Sequence, residues 1–73
     1  MNIQNVLGKN IRFFREAKGW SQDVLSEKSN LHRTYISGVE RGIRNPTVEI
    51  VQKIAVALEV AASDLFKPTP DED

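Results

Sequence analysis

The sequence predicts an all-α fold, a compact five-helix bundle that contains a helix-turn-helix. Apolar residues recur at spacings of three and four through most of the 73-residue chain, and no run alternates apolar with polar as a half-buried strand does. Capping residues and glycines stand where the periodic stretches begin and end. A chain of this length is one domain near the lower size limit for a fold held by its hydrophobic core alone, which leaves little room for a long catalytic cleft.

Leu7, Ile11 and Phe14 share one helix face and Gly19 stands where a glycine ends such a pattern, so a first helix is expected over about Ile3 to Lys18. Ser21 offers an N-cap with Asp23 in the first turn, and Val24 and Leu25 begin a second helix of about two turns that fades near Ser29 and Asn30. A third follows from roughly His32 to Arg41, with Ile36 and Val39 as its apolar side and Gly42 to end it. In the next loop two N-caps stay open: Asn45 with Pro46 at the first helical position, or Thr47 with Glu49 in the first turn. Val48, Val51, Ile54, Ala55 and Leu58 predict a strongly periodic fourth helix, and Ala62 to Phe66 a short fifth. Pro68 and Pro70 close the domain, which spans 1–67. Residues 68–73, PTPDED, carry prolines and acids with nothing to bury, the composition of a disordered tail.

The chain has no cysteine, hence no disulfide framework and no thiolate metal site, as suits a reducing cytosol. Its start, MNIQNVLGKN, lacks the apolar core of a secretion signal, and no stretch approaches the roughly 20 apolar residues of a membrane helix. An intact cytoplasmic protein, away from membranes, is the expectation. One histidine and scattered carboxylates supply no metal-ligand spacing, no nucleophile paired with a base and no glycine-rich phosphate loop, so neither an enzyme nor a cofactor is expected.

The formal net charge of zero conceals segregation. From Lys9 to Lys53 there are nine bases and five acids, whereas from Ile54 to Asp73 Lys67 stands against five acids. One part of the molecule suits a polyanion and the other does not. Within the basic part, SNLHRTYISGVERG (Ser29 to Gly42) sets five hydrogen-bond donors, His32, Arg33, Thr34, Tyr35 and Ser37, among three apolar residues, Leu31, Ile36 and Val39. Between Gln22 and Arg41 the pattern is short helix, link of three or four residues, second helix: a helix-turn-helix. Ser26 is small where the two helices cross, and Asn30 tolerates the positive φ of the turn. Leu25, Leu31, Ile36 and Val39 would bury the angle, leaving Arg33, Thr34 and Ser37 on the outer side, which in this motif lies in the DNA major groove.

The stretch from Leu7 to Phe66, with SQ opening the second helix, YISGVERG in the third and RNPTVEIV leading into the fourth, resembles the phage Cro/repressor-type (XRE) helix-turn-helix family. HRTYISGVERGIRNPT is most similar, within that family, to the controller proteins of restriction-modification systems. The resemblance implies a lambda-repressor-like DNA-binding domain and roles by position. Gln22 matches a glutamine that contacts DNA backbone or base edges, and Ser21 a phosphate donor. Arg33, Thr34 and Ser37 match base-facing positions, where arginine bridges guanine O6 and N7 and a threonine methyl packs on thymine. Arg44 and Asn45 match a loop along the backbone, Arg44 entering a narrow minor groove. His32, Tyr35 and Arg41 complete the expected DNA-binding set. His32 is read as a phosphate contact or a pH switch, and Tyr35 as a packed ring with its hydroxyl at the DNA. Arg15 and Glu40 match a partly buried ion pair joining the first and third helices.

Four departures are visible: Ser26 for alanine, Asn30 for glycine, Glu59 for glycine, and Ala61 where serine or threonine caps the last helix. The expected partner is double-stranded DNA carrying a two-fold operator, bound by a homodimer, because one such domain covers about half of it. Ile50, Val56, Val60, Leu65 and Phe66, apolar beyond what the core pattern needs, are the expected dimer interface. Acids near the motif, Glu40 or Glu49, are candidates by analogy for touching RNA polymerase. The leading expectation is a sequence-specific transcriptional regulator, a restriction-modification controller. The alternatives are a phage-type repressor or an interaction module such as an antitoxin, against which the short tail with no apolar anchor argues.

Overall fold

Asn2 opens the first helix, its side-chain oxygen accepting from the backbone N–H groups of Gln4 and Asn5 at 2.9 and 3.2 Å. The structure, a computed structural model, describes residues 2–68 as four α-helices and a 3-10 turn: α1 Ile3–Ala17, α2 Gln22–Ser29, α3 Arg33–Glu40, α4 Val48–Leu58 and the turn Ala62–Phe66. None of these helices is long and apolar enough to cross a membrane. The expectation of a disordered tail falls on residues outside this range, apart from Pro68.

The helix ends follow from the capping residues. Ser21 Oγ accepts from Val24 N–H at 3.1 Å, and Asn30 ends α2 in the left-handed region at φ 59°. Of the two caps open for α4, Thr47 is used: its Oγ1 accepts from Ile50 N–H at 3.2 Å. Glu59 ends α4 at φ 63°, a conformation that glycine adopts without steric cost. Its carboxylate reaches back to Lys18 Nζ at 2.8 Å, and this hydrogen bond holds the carboxyl below its ordinary pKa.

Leu7, Ile11, Leu25, Ile36, Val39, Val51, Ile54, Ala55, Leu58 and Leu65 form the core, with Phe14, Trp20, Leu31, Tyr35 and Ile50 packed against it. Three expectations are corrected. The fifth helix is a 3-10 turn, because Ala61 offers no side-chain cap and the segment is only five residues long. It is held by Asp64, whose carboxylate accepts from Ala61 N–H at 3.1 Å, and by the buried Asn10, whose Nδ2 donates to the carbonyls of Leu65 and Lys67 at 2.8 and 2.5 Å. Leu65, expected at the dimer interface, is fully buried in the core and anchors this turn. Val48, expected on the inner face of α4, is 85% exposed, because it starts the helix beyond the edge of the core while Val51, Ile54, Ala55 and Leu58 suffice to seat it.

α1 and α3 approach so closely that a Cβ added at Gly8 would fall onto the carbonyl oxygens of Val39 and Glu40. Local propensity alone would favour alanine within a helix by up to about 1 kcal/mol. The backbone atoms of α3 cannot give way as a flexible side chain can. Gly8→Ala is therefore expected to destabilise the domain, by about 1–3 kcal/mol net. Thermal or urea denaturation checks this, and a variant more stable than the parent would mean that the two helices separate freely.

Candidate nucleic-acid interface

The donor-rich face starts from the turn between α2 and α3. Leu31 N–H donates to Ser26 C=O at 3.0 Å, closing α2, and the link then enters α3 through His32. His32 is the N-cap: its Nδ1 accepts from Thr34 N–H at 3.1 Å, which leaves Nε2 of this exposed residue as the ring's donor. Arg33 and Thr34 are exposed, Ser37 is half-buried beside them, and Tyr35 leans its ring on the core. His32 and Arg41, the approximate bounds expected for the helix, are its flanking caps.

A network of charged hydrogen bonds fixes this face. Arg15 on α1 donates from Nε to Glu40 Oε2 at 2.7 Å and from Nη2 to Glu40 Oε1 at 3.0 Å, while its Nη1 donates to Trp20 C=O at 2.7 Å. Gln22 Nε2 donates to the same Glu40 Oε1 at 3.1 Å. The Glu40 hydrogen bond raises the Arg15 guanidinium pKa, with burial opposing it. The side chains of the pair are only 10% and 4% exposed, which confirms its structural role and removes Glu40 as a residue that another protein could touch; Glu49 is exposed. Gln22 is thus held by its amide nitrogen, with its carbonyl oxygen left as an acceptor.

The loop after α3 is set by Gly38, whose carbonyl accepts from the N–H groups of both Ile43 and Arg44, at 3.0 and 3.2 Å. The Arg44 stem lies over Gly38, where a Cβ would strike its Cγ, and its guanidinium carbon stands 5.8 Å from the centre of the Tyr35 ring. Gln22, Arg33, Thr34, Ser37 and Arg44 therefore converge on the α2–α3 side. Ser21 and Arg41 are exposed at the ends of α1–α2 and α3. Asn45 lies apart from these, on a groove of about 290 Å³ lined with Ile3, Leu7, Pro46, Val48, Ala62 and Phe66.

That groove redraws the expected dimer surface. Ile3, Val48 and Phe66 are 54%, 85% and 41% exposed around it. Val56 is exposed two turns further along α4 from Val48, whereas Ile50 and Val60 pack partly against the core. Ile3 and Val48 were not anticipated at the surface. The only signal for Val48 was that the remaining α4 stripe is already complete without it. The structure also pairs Asp23 with Arg33, Nε to Oδ1 at 3.0 Å, a contact that sequence spacing did not reveal.

A family model described as helix-turn-helix matches residues 11–65. A hypothetical transcription factor of Neisseria meningitidis is 45% identical over 67 residues, which cover 92% of this chain and 63% of that protein, so the chain spans less than two thirds of its length. The control protein C.BamHI of Bacillus amyloliquefaciens is 43% identical over 66 residues, 89% of this chain and 82% of that one. Among solved structures, the restriction-modification controller protein C.Esp1396I, as a tetramer in complex with its natural 35-base-pair operator, is 39% identical with a TM-score of 0.82, covering 90% of this chain and 87% of that chain.

Removing Glu40 would leave the Arg15 charge buried without its partner and release Gln22. Glu40→Ala is expected to cost about 3–5 kcal/mol, as read by chemical denaturation. A loss below 1 kcal/mol would mean that water takes over the carboxylate's hydrogen bonds.

Proposed function

This chain belongs to the helix-turn-helix family, and from that premise we propose that it is a sequence-specific transcriptional regulator that binds a two-fold DNA operator as a homodimer, a controller of restriction-modification genes. The observation that carries this reading is the convergence of Arg33, Thr34 and Ser37 on one exposed face of a helix that the Arg15–Glu40 pair locks to the rest of the domain. Arg33 reads guanine, Thr34 and Ser37 contact neighbouring base edges, and Gln22, Ser21 and His32 Nε2 hold the phosphate backbone. Arg41, Arg44 and the Tyr35 hydroxyl extend the backbone contacts along the same side. The likeness to C.BamHI supports the controller assignment, since the chain covers most of that small protein.

The homodimer is proposed to form through the apolar surface of Ile3, Val48 and Phe66, with Ile50, Val56 and Val60 at its margins. Of these residues Val56, Val60 and Phe66 belong to the acidic part of the sequence from Ile54 onward, so a dimer formed here would set that part at the interface and not at the operator. Contact with RNA polymerase, in a regulator of this kind, would fall to exposed acids such as Glu49. We propose a cytoplasmic location, as DNA binding in a bacterial regulator requires.

Selection of bound sequences from random duplex DNA at two salt concentrations tests the reading. A two-fold motif with steep salt dependence is expected, and recovery of no motif would overturn sequence-specific binding. Arg33→Ala is expected to lose roughly 1–3 kcal/mol of discrimination at one base pair per half-site, while Gln22→Ala weakens binding to all sequences evenly. Equal losses on operator and random DNA for both would reject this division of roles. Val48→Asp is expected to leave a folded monomer with little operator affinity, measured by sedimentation and binding. A dimer that persists in this variant would place the interface elsewhere.

A further inference from the structure

We propose that Asp23 is a positioning residue for Arg33 and so helps to set the base specificity of α3; this rests on the DNA-reading function proposed above. Asp23 is the second residue of α2 and Arg33 the first of α3, so their ion pair spans the two helices of the motif, with Arg33 Nε 3.0 Å from Asp23 Oδ1. Both side chains are open to solvent, 61% exposed for Arg33 and 74% for Asp23.

An acid at this position needs a reason. It sits next to Gln22, on the edge where backbone phosphates would approach, and repels them. Its charge favours the start of α2 through the helix dipole, but Ser21 already caps that end, and the dipole does not require the carboxylate to meet one particular arginine. The pairing does two things for Arg33. It places a carboxylate beside Nε as a charge contact, without an aligned N–H···O hydrogen bond, and so biases the guanidinium toward presenting its Nη1–Nη2 end to the guanine O6 and N7 acceptors. It also balances part of the arginine's charge, which lowers the attraction to any phosphate while leaving the directional contact to the correct base. The carboxylate thereby raises the ratio of specific to non-specific binding instead of raising affinity as such.

The test uses the full chain and the operator recovered by selection, with each base pair substituted in turn. Wild type, Arg33→Ala, Asp23→Asn and Asp23→Glu are compared by competition binding. Asp23→Asn is expected to lose about two- to fivefold in discrimination, what an exposed ion pair can hold, at the base pair that Arg33→Ala relaxes. It should keep discrimination elsewhere and bind random duplex more tightly than wild type. Asp23→Glu, which keeps the charge and the helix-start preference, should restore part of the loss. Without DNA, the NMR signal of the Arg33 Nε–H group should move in Asp23→Asn and leave the other arginine signals in place. Wild-type discrimination at that base pair in Asp23→Asn, an equal loss at every base pair, or an unmoved Arg33 signal would each overturn the proposal. If the wild type selects no motif, the premise fails and takes the proposal with it. A motif that Asp23→Asn reads unchanged defeats the proposal alone.

Discussion

The two oxygens of Glu40 take three hydrogen bonds from two other parts of the chain: two from Arg15 on α1 and one from Gln22 at the start of α2. Arg15 uses its remaining nitrogen on the Trp20 carbonyl, so the link between α1 and α2 is tied into the same cluster. Hydrophobic contact is close to non-directional. Ile36 and Val39 can draw α3 onto the core, but two apolar side chains leave freedom in how an eight-residue helix is rotated about its axis. A bidentate arginine–carboxylate pair has fixed geometry and removes that freedom. Buried ion pairs contribute little net stability compared with apolar packing, so the role assigned to this one is orientation. The outward direction of Arg33, Thr34 and Ser37 depends on it, because α3 is too short to be stable by itself.

The reach of sequence reasoning follows from which forces are local. Helix starts and stops were legible where the residue type itself sets the local backbone, through a side-chain cap at Ser21 and a left-handed φ at Asn30 and Gly19. The core stripe was legible too, since Leu7, Ile11, Leu25, Ile36 and Ile54 repeat at helical spacing. The choice of Thr47 over Asn45 was not, because both residue types can cap and only the packing of α4 decides between them. Leu65 was misplaced for a related reason. In a five-residue segment periodicity carries almost no information, and the turn that carries Leu65 into the core is tied by a buried asparagine 55 positions earlier in the chain. The crossing of α1 and α3 at Gly8 was equally invisible, since a glycine within a helix reads as a weak point until the backbone that it admits is known. Of the proposed interface, the residues on the outer side of α3 were named from pattern and resemblance, whereas the Asp23–Arg33 contact depends on the angle between two helices.

The same molecule separates its surfaces by chemistry. The α2–α3 side carries charged and hydrogen-bonding groups that face outward from rigid backbone. Another margin, where α1, α4 and the 3-10 turn meet, carries a groove lined by Ile3, Val48 and Phe66. Exposed apolar residues are ordinary when scattered. Here, among the described residues, three of the five large exposed ones border one groove, the arrangement expected of a surface that becomes covered. None of the α3 donors lines that groove, and Lys18 pairs with Glu59 at the far end of α4.

Size makes these two surfaces interdependent. On the proposed function, this 73-residue chain offers one short recognition helix, and the few base contacts that it could make would supply on the order of 1–3 kcal/mol of discrimination each. One copy would therefore distinguish only a few base pairs, with its phosphate contacts adding affinity that carries no sequence information. Joining two copies doubles the number of base pairs read and makes their spacing a further condition, since both helices must fit the major groove on one side of the duplex. In a chain with little core to spare, the second copy is the least costly source of that surface. On the reading proposed here, the apolar groove is part of how the protein reads sequence, although it touches no base.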